Sequence, residues 1–182
     1  MAREIAKNLS NEKAFTLIEV IVSLILVGIL VAIAGMGLVQ ITHGYFFAKQ
    51  NSETVQKAQV AMIRIAKELG AAEPQSGTAN PITTAGTTSV SYTRRESIGS
   101  STFIPNTISI SDGLVQMSGT NDGTLIDNVV TASSSFAYFD AVGNTTANLA
   151  NIRRIDITLS VTGASNQKSD FTNSVWINES YQ

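Results

Sequence analysis

The apolar positions of this chain follow two patterns, divided near residue 72. From Val20 to Thr42 the sequence reads VIVSLILVGILVAIAGMGLVQIT, 23 residues without a charge or a proline. As a helix this stretch rises roughly 35 Å at ~1.5 Å per residue, enough to cross a hydrocarbon layer of ~30 Å. It is apolar all round, as suits a helix surrounded by lipid or by other apolar helices. A one-sided stripe follows, in which Val55, Ala58, Met62, Ile65 and Leu69 recur at helical spacing. Glu53, Lys57, Arg64, Lys67 and Glu68 are expected to lie largely off that stripe. Gly70 is placed just past the helix end, and Pro74 stops any continuation. The expectation is one helix from Phe15 to Leu69, about 80 Å long.

Past Ala72 the period falls to two. Glu73 to Thr88 is rich in Gly, Pro and Thr and reads as an irregular loop. Val90 and Tyr92 alternate next. Thr107–Ser111 and Leu114–Ser118 flank Asp112-Gly113, the pattern of a hairpin closed by a type I′ turn. Leu125 to Val130 reads as a weaker strand. Phe136 and Tyr138 alternate in another, followed by a turn near Gly143-Asn144. Ile155, Ile157, Leu159 and Val161 form the cleanest half-buried strand, and Phe171, Val175 and Ile177 mark a last one containing Trp176. Strands in series after one helix predict an α+β fold, a long N-terminal helix packed on an antiparallel sheet.

Composition narrows the chemistry. The chain is 43% hydrophobic and 14% charged, with a net charge of −2, one histidine and no cysteine; an average soluble domain carries about 25% charged residues. Without cysteine there are no disulfides, thiol nucleophiles or thiolate metal sites. One histidine excludes a multi-histidine metal centre. The near-neutral balance argues against a charge-driven nucleic-acid binder. Arg94-Arg95 and Arg153-Arg154 are ordinary surface pairs, with Glu96 and Asp156 close by in sequence. Asn121-Asp122-Gly123 and Asp127 lack the alternating ligands and terminal Glu of a calcium loop, and a turn accounts for them better. His43 sits at the membrane edge without an acid nearby in sequence and reads as an interfacial side chain. No catalytic residue, cofactor or metal is therefore expected, and the chain does not read as an enzyme.

Arg3, Lys7 and Lys13 precede the apolar run, and the next basic residue is Lys49. That bias places the N-terminus in the cytoplasm and the C-terminal domain outside. Tyr45, Phe46 and Phe47 then fall either at the headgroup level or in helix packing. Gly28, Gly35 and Gly37 each weaken the helix by ~1 kcal/mol relative to Ala and suit close helix packing.

The N-terminus admits three accounts. A secretory signal peptide would use Ala32-Ile33-Ala34 as its cleavage site, but the apolar stretch is long and contains Glu19. A plain membrane anchor explains the length and leaves Glu19 without a role. A charged side chain at the centre of a membrane helix costs about 2.5–3.5 kcal/mol on insertion scales; near the helix end the cost is smaller, yet a functional partner is still the default.

Lys13-Ala14-Phe15-Thr16-Leu17-Ile18-Glu19, behind a polar leader and ahead of a long apolar helix, resembles the type IV prepilin signature. The resemblance implies a pilin-like fold and cleavage between Ala14 and Phe15 by a membrane-embedded prepilin peptidase. It further implies N-methylation of Phe15. It gives Glu19 a role in subunit assembly, neutralising the new amine of a neighbouring subunit. A charge that is costly alone becomes tolerable when paired. The family usually has Gly before the cut where this chain has Ala14, the smallest change available, so processing is expected, at a slower rate. Major pilins often carry a proline in the apolar half, and this chain has none there.

A weaker resemblance lies further on. Phe136-Ala-Tyr138-Phe-Asp140, then Ile152 to Val161, then Phe171 to Asn178 are similar to the end of J-type pseudopilins and W-type minor pilins. The implied organisation is a leader over 1–14, a hydrophobic transmembrane and assembly helix over 15–44, its amphipathic continuation over 45–72, and an antiparallel β-rich extracytoplasmic domain over 73–182. The implied partners are the prepilin peptidase, other pilin or pseudopilin subunits through their N-terminal helices, an inner-membrane assembly platform, and membrane lipid before assembly. The implied location is the inner membrane, spanned once, and then a pilus or periplasmic pseudopilus. A filament-presented adhesin, a DNA-uptake receptor or a simple membrane-anchored binding domain are the competing functions.

Overall fold

The computed structural model describes residues 16–75, 77–78 and 80–177. Helix α1 runs unbroken from Leu17 to Gly70. It contributes to two compact units, one ending at Phe46 and the other starting at Phe47. In the first unit every described residue, from Thr16 to Phe46, is exposed. In the second, Ala58, Met62, Ile65 and Leu69 of the expected stripe are buried, and Val55 is half-buried. Ala61 and Glu68 are buried beside them, so Glu68, expected off the stripe, lies on the covered face instead. Gly70 is the last helical residue rather than the residue beyond the end, and its φ is not left-handed. The Ala71 N–H donates to the Lys67 carbonyl at 3.0 Å and the Ala72 N–H to that of Leu69 at 3.2 Å, which closes the last turn without a left-handed cap.

Among the described residues, eight strands follow in two antiparallel sheets. The first has the order β1 (Ile82–Ala85), β2 (Ser89–Arg95), β3 (Phe103–Ser111), β4 (Leu114–Ser118) and β5 (Gly123–Ile126). The second has the order β6 (Ser135–Phe139), β7 (Arg154–Thr162) and β8 (Lys168–Trp176). Together with α1 they make the expected α+β arrangement. β1 arises inside the stretch expected to be irregular. Buried Ile82 pairs with Tyr92, and the Pro81 carbonyl accepts the Thr93 N–H at 2.9 Å, which draws this short segment onto the edge of β2.

The hairpin of β3 and β4 closes as expected: Ser111 faces Leu114, and Asp112 (φ 52) and Gly113 (φ 74) both take the left-handed conformation a type I′ turn needs. β5 holds only the start of the expected Leu125–Val130 strand. The chain turns out at Asn128 (φ 59), and Val129 then bridges to Val161 in the second sheet. Further ties join the sheets, the Phe136 N–H donating to the Thr87 carbonyl at 2.8 Å and the Tyr138 hydroxyl to the Gly86 carbonyl at 2.8 Å. Near Gly143 the expected turn is held by Asp140 Oδ1, which accepts the N–H groups of Val142, Gly143 and Asn144. One core results, in which Ile65 and Leu69 of α1 share a cluster with Val90, Tyr92, Ile108 and Val115 of the first sheet and Ile155, Ile157 and Leu159 of the second.

Candidate assembly surface

The first unit presents apolar side chains that fold alone does not cover. Leu17 is 80% exposed and Met36 76%, and the large apolar residues between them are 44% (Ile21) to 67% (Leu24) exposed. The helix is long and apolar enough to cross a membrane. A surface of this size exposed to water marks a site of association or membrane insertion.

Glu19 is the acidic residue of the first turn of α1, where the helix dipole favours a negative charge. Its N–H donates to the Thr16 carbonyl at 3.0 Å. The Ser23 hydroxyl donates to the Glu19 backbone carbonyl at 2.7 Å, so that hydroxyl is turned to the backbone. Among the described residues Glu19 forms no ion pair. Its carboxylate is open to a cation from another source. The expected cut between Ala14 and Phe15, the methylation site Phe15 and the leader lie outside the described residues.

In the second unit, the face of α1 opposite the buried stripe carries two large apolar side chains, Val60 and Ile63, 65% and 67% exposed. Lys49 and Glu53 pair along this helix at 3.8 Å, and Lys57 reaches Asp127 at 3.6 Å. These are exposed pairs and contribute little.

The remaining candidates are occupied within the domain. Arg94 pairs with Glu68 at 2.7 Å and Arg95 with Glu73 at 2.8 Å, rather than with Glu96. Arg154 pairs with Asp156 at 2.9 Å, and Arg153 donates to the carbonyls of Ala150 and Ile152. The residues of the Asn121–Asp127 segment point to separate partners rather than to one cation: Asn121 donates to Glu68 Oε1 at 3.3 Å, Asp122 accepts the Gly119 N–H, and Asp127 faces Lys57. His43 is exposed on α1, and no group of three or more metal-ligating side chains occurs among the described residues.

Three features were not legible as sites in the sequence. Glu68 with Arg94 and Asn121 ties α1 to the first sheet beside Tyr92, whose phenol is pushed up by burial and by the Glu68 carboxylate. Asn51 Oδ1 accepts the Ala164 N–H at 2.7 Å, tying α1 to the turn between β7 and β8. On the outer face of the second sheet, Phe139, Arg154 and Trp176 stand in cross-strand register. The guanidinium of Arg154 lies 4.2 Å from the Phe139 ring centre and 5.7 Å from that of Trp176. The i+113 and i+22 separations of the last two features leave no local pattern to read.

Residues 9–35 match the prokaryotic N-terminal methylation motif, the prepilin signature of type IV pilins. The match runs from residue 9 across Phe15–Glu19 into the apolar stretch. It supports a type IV pilin-like or pseudopilin protein of the prepilin type. Such a signature implies processing by a prepilin peptidase and assembly with other pilin subunits, and it fits membrane anchoring through the apolar helix. No curated protein matches the chain by sequence.

Proposed function

We propose that the chain is a structural subunit, a minor pilin or minor pseudopilin, of a type IV pilus or a type II secretion system. The prepilin peptidase cuts between Ala14 and Phe15, and Phe15 is N-methylated. Before assembly the apolar half of α1 rests in the inner membrane, with the N-terminus cytoplasmic and the β-rich domain outside. The assembly platform then draws the subunit into a filament, where Glu19 neutralises the Phe15 amine of a neighbour. The observation that carries this proposal is the methylation motif at residues 9–35, which runs straight into a helix exposed on all sides with Glu19 near its start. The resemblance to J-type pseudopilins and W-type minor pilins supports a minor rather than a bulk subunit; its segments largely coincide with β6, β7 and β8.

Glu19→Ala tests the pairing. Membrane insertion and cleavage are expected to proceed, because the substitution removes a charge from an apolar run. Recovery of the processed chain in the sheared filament or pseudopilus fraction is expected to fall severalfold. Undiminished incorporation of Glu19→Ala contradicts the proposed role.

A further inference from the structure

We infer that the free edge of β8 accepts an extended strand from a neighbouring pilin-type subunit, continuing the second sheet from one subunit into the next. The inference rests on the function proposed above.

The phase of the β7–β8 ladder fixes which backbone groups face outward. The Ile177 N–H donates to the Arg153 carbonyl and the Gly163 N–H to the Gln167 carbonyl, both at 2.8 Å. Since hydrogen-bonded pairs alternate along an antiparallel ladder, the odd-numbered residues of β8 bond to β7. Lys168, Asp170, Thr172, Ser174 and Trp176 therefore turn their N–H and C=O groups away from the sheet. Among the described residues only two side chains reach this row: Asn173 Oδ1 accepts the Ser174 N–H at 2.9 Å, and Gln167 Nε2 donates to the Lys168 carbonyl at 3.4 Å. Both are local and can be displaced.

The other edges are guarded. β1 and β5 are four residues long, and each pairs with a register shift. The edge of β6 is tied to the first sheet through Thr87. β8 has nine residues, no proline and an unbroken register, the kind of edge that acts as a pairing template. It is also under-buried. Five of the nine residues of β7 are buried, against one of nine in β8. The inward side chains Ser169, Phe171 and Asn173 stay half-buried, as expected if the layer continues past them.

The occupant's chemistry follows from the edge. Inward, it must bring apolar side chains beside Phe171 and Val175. Outward, the row of Phe139, Arg154 and Trp176 ends on a tryptophan that is 61% exposed, which suits an apolar or cationic neighbour. Lys168 and Asp170 call for an acidic and a basic partner in turn. Packing of N-terminal helices in a filament holds domains side by side, so a neighbouring subunit supplies such a strand at high effective concentration. Main-chain hydrogen bonds give affinity in this mode of recognition, and the alternate side chains give selectivity.

The test uses the outward N–H of Thr172. Thr172→Pro removes that donor without touching the β7 ladder, and proline is tolerated on the open side of an edge strand. Thr172→Val keeps the N–H and controls for the side chain. The full-length chain carries a photo-crosslinking p-benzoylphenylalanine in place of Asp170 and is irradiated in its native cells. We expect an adduct to a strand of a second protein bearing the prepilin signature. Thr172→Pro is expected to lower its yield about tenfold, the loss of one or two main-chain hydrogen bonds, while Thr172→Val leaves it unchanged. Should Thr172→Pro lower the melting temperature appreciably, Ser174→Pro, whose N–H also faces outward, takes its place. An adduct insensitive to proline, an adduct to a protein without the signature, or no adduct at all overturns the inference. The mass of the same chain separates the two levels: a processed, filament-borne subunit without the edge-dependent adduct contradicts only this inference, and an unprocessed chain contradicts the function beneath it.

Discussion

Glu68 is the charged residue on the buried face of α1, and Glu68→Ala tests how the helix is held to the domain. Its carboxylate lies 2.7 Å from Arg94, with the two side chains 11% and 25% exposed. Asn121 adds a hydrogen bond at 3.3 Å. Removing one partner of a fully buried pair costs about 3–5 kcal/mol, because the other is left buried and uncompensated. Arg94 keeps a quarter of its surface in water, so its guanidinium can be partly rehydrated, and the expected loss falls to about 2–3 kcal/mol. At ~2–4 °C per kcal/mol for a chain of this size, the melting temperature should drop by roughly 4–12 °C. Circular dichroism of the full-length chain in detergent measures the drop. A cycle with Arg94→Ala and the double variant isolates the pair, with an expected coupling above ~1 kcal/mol. A melting temperature within ~1 °C of the parent, or singles that simply add, would refute the assignment of Glu68 to a structural tie.

Two further perturbations follow from side chains within the domain. Gly163→Ala directs a Cβ against the Asn51 side chain, which yields only by releasing the Ala164 N–H; a loss of about 1 kcal/mol in denaturant unfolding is expected, and Asn51→Ala should cost a similar amount without adding to it. The phenols of Tyr92 and Tyr138 are both raised above their ordinary value of 10.0, chiefly by burial. Their protonated forms therefore stabilise the fold fully below about pH 10, and that contribution is lost as the pH rises further, at ~1.4 kcal/mol per pH unit per tyrosine. Unfolding midpoints of the parent should fall through this alkaline range and those of Tyr92→Phe and Tyr138→Phe should fall less steeply; identical slopes would count against burial as the cause.

The parts of the fold that local periodicity dictates were legible beforehand. The stripe from Ala58 to Leu69 follows the helical repeat, and Asp112-Gly113 supplies the two left-handed residues of its hairpin turn. Strands β7 and β8 show the inward alternation of Ile155, Ile157 and Leu159, and of Phe171 and Val175. What escaped depends on partners distant in sequence. Ile82–Ala85 is too short to show a two-residue alternation, with Ile82 its one buried position, and it becomes a strand because Tyr92 and Thr93 offer an edge. Glu68 looks solvent-facing until Arg94 is brought against it from 26 residues away. The division into two sheets turns on Asn128, where a left-handed residue sends Val129 across to Val161. The assembly surface was legible in a different way. An uninterrupted apolar run with a carboxylate at its start is a pattern of composition, and exposure along Leu17–Phe46 leaves that pattern unpartnered among the described residues.

The central claim is that this chain is a prepilin matured at its N-terminus for assembly. Intact-mass measurement of the protein extracted from the membranes of its native cells tests it most directly. The account predicts the loss of residues 1–14 and the gain of one methyl group on Phe15. A chain that keeps its leader, or one cut after Ala34 as an ordinary signal peptide would be, contradicts it.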